Sequence, residues 1–98
     1  MLKITNDVKE FVNEDHCVVY FTADWCNPCR QLKPHYGKVA VIDSETNYYL
    51  VDVDELDRDT IEYYSLKSIP QIFIMNKGEI VKTIMGRTSQ DILTEMGK

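Results

Sequence analysis

Trp25-Cys26-Asn27-Pro28-Cys29 is the stretch around which the rest of the sequence is arranged. The residues before it, 18–23, have the β-branched and aromatic content of a buried strand. The residues after it repeat apolar side chains at the spacing of one helix face, namely Leu32, Tyr36, Val39 and Ala40. The cysteine pair is therefore predicted to lie where a strand passes into the N-terminus of a helix.

This predicted position gives the two sulfur atoms different roles. A helix N-terminus has unpaired backbone N–H groups and the positive end of the helix dipole, and both favour a thiolate over a thiol. A thiolate attacks disulfides, whereas a thiol does not. Cys26 lies at the helix terminus and is predicted to be the more exposed sulfur, so it is the candidate nucleophile. Cys29 follows one turn later and is the candidate resolving thiol.

The bulk properties narrow the classes of function. The chain has 98 residues, enough for a single domain over residues 1–98, and a formal charge of −5 without a basic cluster. This charge argues against nucleic-acid and anionic-membrane partners, and no apolar run reaches membrane-spanning length. The first residues, 1–7, lack the apolar core of a secretory signal, so a cytoplasmic protein is predicted.

The cysteine pair also has a structural reading and a metal-binding reading. A structural disulfide is less expected than catalysis in a reducing cytosol, and tetrahedral zinc needs two further ligands. The candidates Cys17, His16 and His35 show no such spacing, although an iron–sulfur site shared between two chains stays open. Cys17 begins an apolar strand and is predicted to be buried, with a regulatory thiol as the alternative. Both histidines are predicted to lie on the surface.

Two other patterns receive structural readings. The acidic residues in 52–59 lack the glycine and the terminal glutamate of a calcium loop, so a solvated strand end is predicted there. The tyrosines 48, 49, 63 and 64 are predicted to belong to the core and the sheet faces.

The element order predicted from periodicity and turn residues is β-α-β-α-β-α-β-β-α. The first helix is predicted to begin after a cap at Asn6, the second to kink at Pro34, and the last to begin after Gly86 with Thr88 and Asp91 as a capping pair. Strands are predicted at 2–4, 17–22, 48–53, 72–75 and 80–84, and helices at 26–43 and 58–66. Because helices connect the first three strands, these are expected to be parallel. The final hairpin is antiparallel, so a mixed α/β sheet with helices on both faces results.

With this order, the sequence resembles the thioredoxin family over nearly its whole length. Five features carry the resemblance: Trp-Cys-x-Pro-Cys at 25–29, Pro34 five residues after the second cysteine, Val51-Asp52-Val53-Asp54, Ile69-Pro70, and Asn76-Lys77-Gly78-Glu79 followed by Gly86. Thioredoxins are the reference case for a helix-terminal cysteine, with a pKa of about 7 against about 8.5 for a free thiol.

The resemblance implies substrate-binding roles at matched positions. Pro70 is expected to follow a cis peptide bond and to lie against the cysteine pair. The backbone of Ile69 would then face outward and pair with a substrate segment in the manner of a strand. Gly86 would let that segment approach closely. Trp25 would form an apolar lip beside the nucleophile, with its indole N–H bonded to Asp54.

Four positions depart from the family pattern. Asn27 replaces a glycine and Gln71 replaces a threonine, while Tyr20 and Leu50 replace a buried Asp–Lys pair. Losing both members of a buried ion pair can be neutral, whereas losing one costs about 3–5 kcal/mol, so the last two changes are mutually consistent. We hypothesise that water or the Tyr20 hydroxyl handles the Cys29 proton, and that Tyr20→Asp alters the pH profile of disulfide reduction.

The function predicted from the residues and the resemblance is reduction of protein disulfides by a monomer without a bound cofactor. The implied partners are a thioredoxin reductase as electron donor and clients such as ribonucleotide reductase or peroxide-handling enzymes. Asn27 and Pro28 tune the reduction potential, and Ile69 favours the reducing end of the family's range. A glutathione-dependent, glutaredoxin-like reductase and a thioredoxin-fold adaptor are the alternatives.

Overall fold

The computed structural model describes residues 2–98, and five strands form one sheet within that range. The strand order across the sheet is β1-β3-β2-β4-β5. The strands are β1 (Leu2–Ile4), β2 (Cys17–Thr22), β3 (Asn47–Asp52), β4 (Gln71–Asn76) and β5 (Glu79–Ile84). The central strand is therefore β2, the strand that precedes the cysteine pair.

Three α-helices and two short 3-10 turns complete the part of the chain that the structure describes. The helices are α1 (Asn27–Ile42), α2 (Arg58–Tyr63) and α3 (Ser89–Glu95), and the 3-10 turns are Val8–Glu10 and Val53–Glu55. Within residues 2–98 none of the helices combines the length and the apolar character needed to span a membrane.

The pairing of the strands follows the predicted connections. β3 is parallel to both β1 and β2, whereas β4 is antiparallel to β2 and to β5. The β4–β5 hairpin turns at Lys77 and Gly78, whose φ angles of +48° and +82° are both left-handed. This is the geometry of a type I′ turn, whose twist matches that of the flanking strands. The predicted mixed α/β sheet is confirmed.

Helical segments cover both faces of the sheet, as predicted. Side chains alternate along a strand, so Val18 and Tyr20 of β2 face one side while Val19 and Phe21 face the other. The first side packs against α1 and α3. The second side packs against residues of the Val8–Glu10 region and of α2. The central strand β2 is therefore buried between two apolar layers.

The first helix is shorter than predicted. The structure has a 3-10 turn at Val8–Glu10 instead of an α-helix, and its cap is Asp7, whose carboxylate accepts the Lys9 N–H at 2.9 Å. The prediction of Asn6 as the cap was therefore wrong. Apolar residues three and four positions apart fit a single turn of any helix, so this spacing indicated helical geometry without fixing the length.

The prediction for Tyr63 was also wrong, since its side chain is 72% exposed. Its neighbour Tyr64 is buried, as are Tyr48 and Tyr49. Helix α2 ends at Tyr63, earlier than predicted, and Ser65 adopts a left-handed φ of +55° that cannot continue a helix. Leu66 still reaches the core after this turn.

Candidate active site

The junction between β2 and α1 holds both cysteines. Cys26 is the N-cap of α1, and its Sγ atom accepts the backbone N–H of Cys29 at 3.3 Å. The Cys26 N–H donates to the Ala23 carbonyl at 3.2 Å, which closes the turn that leaves β2. Pro28 lies in the first helical turn, where its missing N–H leaves no hydrogen bond unmade. The local sequence thus begins a helix with a sulfur atom at its positive end.

The two sulfur atoms are joined in a disulfide, and the two Cα atoms lie 5.2 Å apart. Cys26 retains 6% of its surface in solvent, whereas Cys29 retains none. A reactant in solution can therefore reach the disulfide only from the Cys26 side. This difference agrees with the predicted difference in exposure.

The Ile69–Pro70 peptide bond is cis, as expected. The carbonyl oxygen of Ile69 lies 3.8 Å from Cys26 Sγ, and the Ile69 side chain packs against the small cluster of Ala23, Cys26 and Cys29. Strand β4 begins afterwards, with Gln71 opposite Phe21, so Ile69 itself lies outside the strand pairing. The segment before β4 thus forms one wall of the cysteine site.

Trp25 forms the exposed edge of the site. Its side chain is 68% exposed, and its indole N–H donates to both carboxylate oxygens of Asp54 at 3.0 and 3.2 Å. The predicted Trp25–Asp54 hydrogen bond is therefore present. Beside it lies an apolar recess of about 270 Å³, which we name the Trp25 recess, lined by Trp25, Val53, Leu66, Lys67, Ser68 and Ile69.

Comparison with known proteins agrees with this geometry. The family model described as Thioredoxin matches residues 2–98. The chain belongs to the thioredoxin family. It is accordingly a thiol–disulfide oxidoreductase of the thioredoxin type, an enzyme that reduces protein disulfides.

Individual relatives span most of the chain. Thioredoxin H3 of Arabidopsis thaliana is 32% identical over 97 residues, which cover 99% of this chain and 77% of the relative. The thioredoxin of Streptomyces clavuligerus is 30% identical over 97 residues, covering 96% and 90% of the two chains. The solved structure of oxidised thioredoxin from Plasmodium falciparum has a TM-score of 0.81 and 25% identity, covering 99% of this chain and 96% of that one.

Tyr20, which stands at the position of a buried aspartate in typical thioredoxins, contacts the backbone behind the disulfide. Its hydroxyl donates to the Cys29 carbonyl oxygen at 2.7 Å, and its ring packs edge-on against Tyr36 at 4.9 Å. Leu50, at the position of the family's lysine, is the strand neighbour of Tyr20 in the β2–β3 register. Burial raises the pKa of Tyr20, so the phenol stays protonated and acts as a hydrogen-bond donor.

The structure gives its own reason for glycine at position 86. A Cβ atom at Gly86 would lie 2.5 Å from Asp91 Cβ and 2.8 Å from Glu95 Oε2. The Gly86 N–H donates to the same Glu95 oxygen at 2.6 Å. Close packing against α3 therefore requires glycine, and the expected contact with substrate stays a prediction. Asn27, the first residue of α1, is exposed beside the pair.

Sequence reasoning missed the contact made by His35. This residue is half-buried, and its Nδ1 atom accepts the Ser89 N–H at 3.1 Å, which connects α1 with the start of α3. No local signal could have found this contact, because it depends on how two helices distant in sequence pack together.

The predictions for His16 and Cys17 are confirmed, since His16 is exposed and Cys17 is fully buried. Burial raises the pKa of the Cys17 thiol to about 11, and the charge of Glu14 is a smaller cause.

The acidic residues after β3 act as caps of helical turns. The Asp52 carboxylate accepts the Asp54 N–H at 2.9 Å, and the Asp57 carboxylate accepts the Thr60 N–H at 2.8 Å. Residues 2–98 contain no group of three or more His, Cys, Asp or Glu side chains arranged to hold a metal ion.

Proposed function

We propose that the chain reduces protein disulfides through Cys26 as nucleophile and Cys29 as resolving thiol. The observation that carries the proposal is the disulfide at the N-terminus of α1, in which Cys26 alone reaches solvent. The Cys29 N–H, 3.3 Å from Cys26 Sγ, together with the helix dipole, would stabilise a thiolate there once the pair is reduced.

The reaction consists of two thiol–disulfide exchanges. In the first, the Cys26 thiolate attacks one sulfur of the substrate disulfide, the substrate S–S bond breaks, and the other substrate sulfur leaves as a thiolate that takes up a proton. In the second, Cys29 loses its proton and attacks Cys26 Sγ, and the second substrate sulfur leaves. Two electrons pass from the cysteine pair to the substrate, and the two leaving thiolates take up one proton from Cys29 and one from solvent. The pair ends as the Cys26–Cys29 disulfide present in the structure.

The substrate segment is proposed to bind across the exposed side of the pair. The Trp25 recess offers an apolar surface, and Asp54 orients the Trp25 ring through the indole N–H, which both of its carboxylate oxygens accept. Ile69 precedes β4 and lies beside Cys26, so its backbone can pair with an extended segment. Pro70 and Gly86 complete the proposed binding surface.

The proton of Cys29 is proposed to leave through water or the Tyr20 hydroxyl. Tyr20 is a neutral donor to the Cys29 carbonyl, so it can relay a proton only by exchanging its own. Tyr20→Asp introduces a carboxylate behind the disulfide and is expected to change the pH profile of reduction. An identical profile in this variant and in the unaltered protein would contradict the relay.

The cellular setting is also a proposal. We place the protein in the cytoplasm as a single-domain monomer that receives electrons from a thioredoxin reductase. The clients proposed on family grounds are ribonucleotide reductase and peroxide-handling enzymes. The Asn27-Pro28 dipeptide is proposed to tune the reduction potential, and Ile69 before Pro70 favours the reducing end of the family's range, near −270 mV rather than about −120 mV. A redox titration against glutathione measures this value directly.

Insulin reduction tests the proposed roles. With dithiothreitol as electron donor, the unaltered protein should accelerate insulin reduction, and Cys26→Ser should abolish the acceleration. Cys29→Ser, reduced beforehand and mixed with substrate after dithiothreitol has been removed, should accumulate a mixed disulfide between Cys26 and the substrate, visible by mass spectrometry. Cys17→Ala is the matched control, because Cys17 is buried away from the pair and its replacement should leave the rate unchanged.

Two outcomes would overturn the assignment. If Cys26→Ser kept full activity, Cys26 could not be the nucleophile. If substrate were trapped through Cys29 alone, the roles of the two cysteines would be the reverse of those proposed. A rate that depends on glutathione rather than on a dithiol donor would favour the glutaredoxin-like alternative.

A further inference from the structure

A second recess begins at Pro28, which lies between the two cysteines in sequence, and shares no lining residue with the Trp25 recess. Its volume is about 300 Å³, and we name it the Arg87 recess. It is lined by Pro28, Gln31, Leu32, His35 and Arg87. Pro28 is two residues from Cys26, and Arg87 directly follows Gly86, so a segment bound across the disulfide has this recess within reach of its side chains.

The guanidinium of Arg87 is held in place at the recess. Its Nη1 atom donates to the Met85 carbonyl at 3.1 Å and to the Gly86 carbonyl at 3.0 Å. A guanidinium carries five N–H donors in a rigid fork, so donors remain for a ligand after these two bonds. The side chain is exposed, and the two backbone bonds reduce the freedom it would lose on binding a ligand.

His35 adds a second donor to the same recess. Because its Nδ1 atom accepts the Ser89 N–H, that nitrogen carries no hydrogen and the neutral ring must carry its hydrogen on Nε2. The Gln31 side chain adds an amide N–H, while Leu32 and Pro28 provide apolar walls. The lining contains no Asp or Glu side chain, so hydrogen-bond donors dominate its polar part.

The positive charge of Arg87 reaches the residues behind the disulfide. Burial raises the pKa of Tyr20, and a hydrogen bond from Thr22 and the charge of Arg87 act in the opposite direction. Tyr20 itself bonds the Cys29 carbonyl. The charge of Arg87 therefore lies near Tyr20, the residue that bonds the Cys29 carbonyl, although the chain as a whole carries a formal charge of −5.

We propose that the Arg87 recess binds the carboxylate of an Asp or Glu side chain that lies close to the disulfide in a client protein. An arginine fork matches a carboxylate in a paired arrangement of hydrogen bonds, and the His35 Nε2–H can complete the site. The inference rests on the proposed function, since the client segment must first lie across Cys26. It adds a chemical rule for client choice. The net negative charge of this protein repels acidic clients as a whole, but the Arg87 recess accepts one carboxylate beside the client disulfide.

Matched peptide substrates test this rule. Short peptides with one intermolecular disulfide are prepared as pairs that differ only in Glu or Gln at one, two or three residues on either side of the cysteine. For the unaltered protein, kcat/KM should favour Glu by about fivefold at the best position, a ratio typical of one charge-assisted contact in solvent. The ratio should shrink as salt is added.

Three variants assign the effect to Arg87. Arg87→Gln should bring the Glu/Gln ratio close to one, and Arg87→Lys, which keeps the charge but loses the fork, should give an intermediate ratio. Arg58→Gln is the matched control, because Arg58 is an exposed arginine on α2, which covers the opposite face of the sheet. This control should keep the ratio of the unaltered protein.

The outcomes separate the inference from the function on which it rests. A ratio of one at every position, with both peptides reduced rapidly, overturns the carboxylate site and leaves the reductase function standing. A preference for Glu that survives Arg87→Gln also overturns it. Failure to reduce either peptide overturns the proposed function and the inference together.

Discussion

Tyr20 shows how a single residue supports the site through the backbone of a reacting cysteine. Its hydroxyl spans from the central strand to the Cys29 carbonyl, and it lies beside Leu50 where related proteins place a charged pair. A neutral hydrogen bond thus replaces a buried ion pair, which removes the cost of taking two charges out of water.

Removing the Tyr20 hydroxyl should weaken the fold by a small, measurable amount. Tyr20→Phe deletes one buried hydrogen bond to the start of α1, and we expect the free energy of unfolding to fall by about 1 kcal/mol in urea titrations. Tyr63→Phe is the matched control, since the Tyr63 side chain is 72% exposed, and it should change stability by much less. Equal effects in the two variants would contradict the structural role of the Tyr20 hydroxyl.

The three cysteines should differ sharply in reactivity once the disulfide is reduced. Burial raises the pKa of Cys17 to about 11, so below that pH its sulfur stays a protonated, inaccessible thiol. We expect iodoacetamide at pH 7 to label Cys26 first and to leave Cys17 unlabelled until denaturant is added, as read by peptide mass spectrometry. Labelling of Cys17 at the rate of Cys26 in the folded protein would contradict this assignment.

At the scale of elements, replacing glycine by alanine is expected to have opposite effects on stability at two positions. Gly37 lies inside α1, and a Cβ atom there meets nothing within 4 Å, so Gly37→Ala should stabilise the protein by about 0.5–1 kcal/mol. Gly86→Ala places a Cβ atom 2.5 Å from Asp91 Cβ and should destabilise by about 1–3 kcal/mol. Thermal unfolding of the two variants checks both signs. A Gly86→Ala variant as stable as the unaltered protein would show that α3 can move aside.

The elements differ in how much of them the sequence could predict. Helix α1 was predicted at 26–43 and is found at Asn27–Ile42, because a long run of apolar residues at helical spacing follows the cysteine pair. The segment after β1 has apolar residues at helical spacing over a single turn only. Its type of helix and its cap at Asp7 therefore could not be predicted. Packing against the sheet, rather than local preference, determines what such short segments become.

At the scale of the whole molecule, Asp43 connects the end of α1 with residue 98. Its buried carboxylate accepts the Tyr48 hydroxyl at 2.7 Å and lies 3.5 Å from Lys98 Nζ. Burial by itself raises the pKa of Asp43, but hydrogen bonds from Tyr48 and Thr46 and the charge of Lys98 outweigh it, and the pKa falls below the ordinary value of 3.8.

This lowered pKa predicts a pH-dependent contribution to stability. Because the folded-state pKa lies below the unfolded one, the contribution is fully present above about pH 4 and disappears as the pH falls through the folded value. We expect Asp43→Asn to cost about 1 kcal/mol at pH 7, and the difference from the unaltered protein to shrink below pH 4 in urea titrations. Asp59→Asn, at an exposed carboxylate, is the control. A difference that grows at low pH would mean that folding raises the pKa of Asp43 instead of lowering it.

The site was predictable where neighbours in sequence are neighbours in space. The helix-terminal cysteines followed from the strand-to-helix pattern, and the Trp25–Asp54 hydrogen bond and the cis bond before Pro70 followed from family resemblance. The hydrogen bond from Ser89 to His35, and with it the Arg87 recess, depends on the packing of α1 against α3. No period or motif encodes a contact between two helix surfaces, so only the folded chain could reveal it.

The central place of β2 in the sheet has a consequence for how the molecule opens. Strands flank β2 on both edges and apolar layers cover both of its faces, so the amide hydrogens of Val18–Phe21 can exchange with deuterium only when the entire sheet opens. Cys29 is anchored to this strand through Tyr20. The first turn of α1, which carries the resolving thiol, is thereby tied through its backbone to the last part of the sheet to exchange, so the geometry of the cysteine pair should persist while outer elements fluctuate.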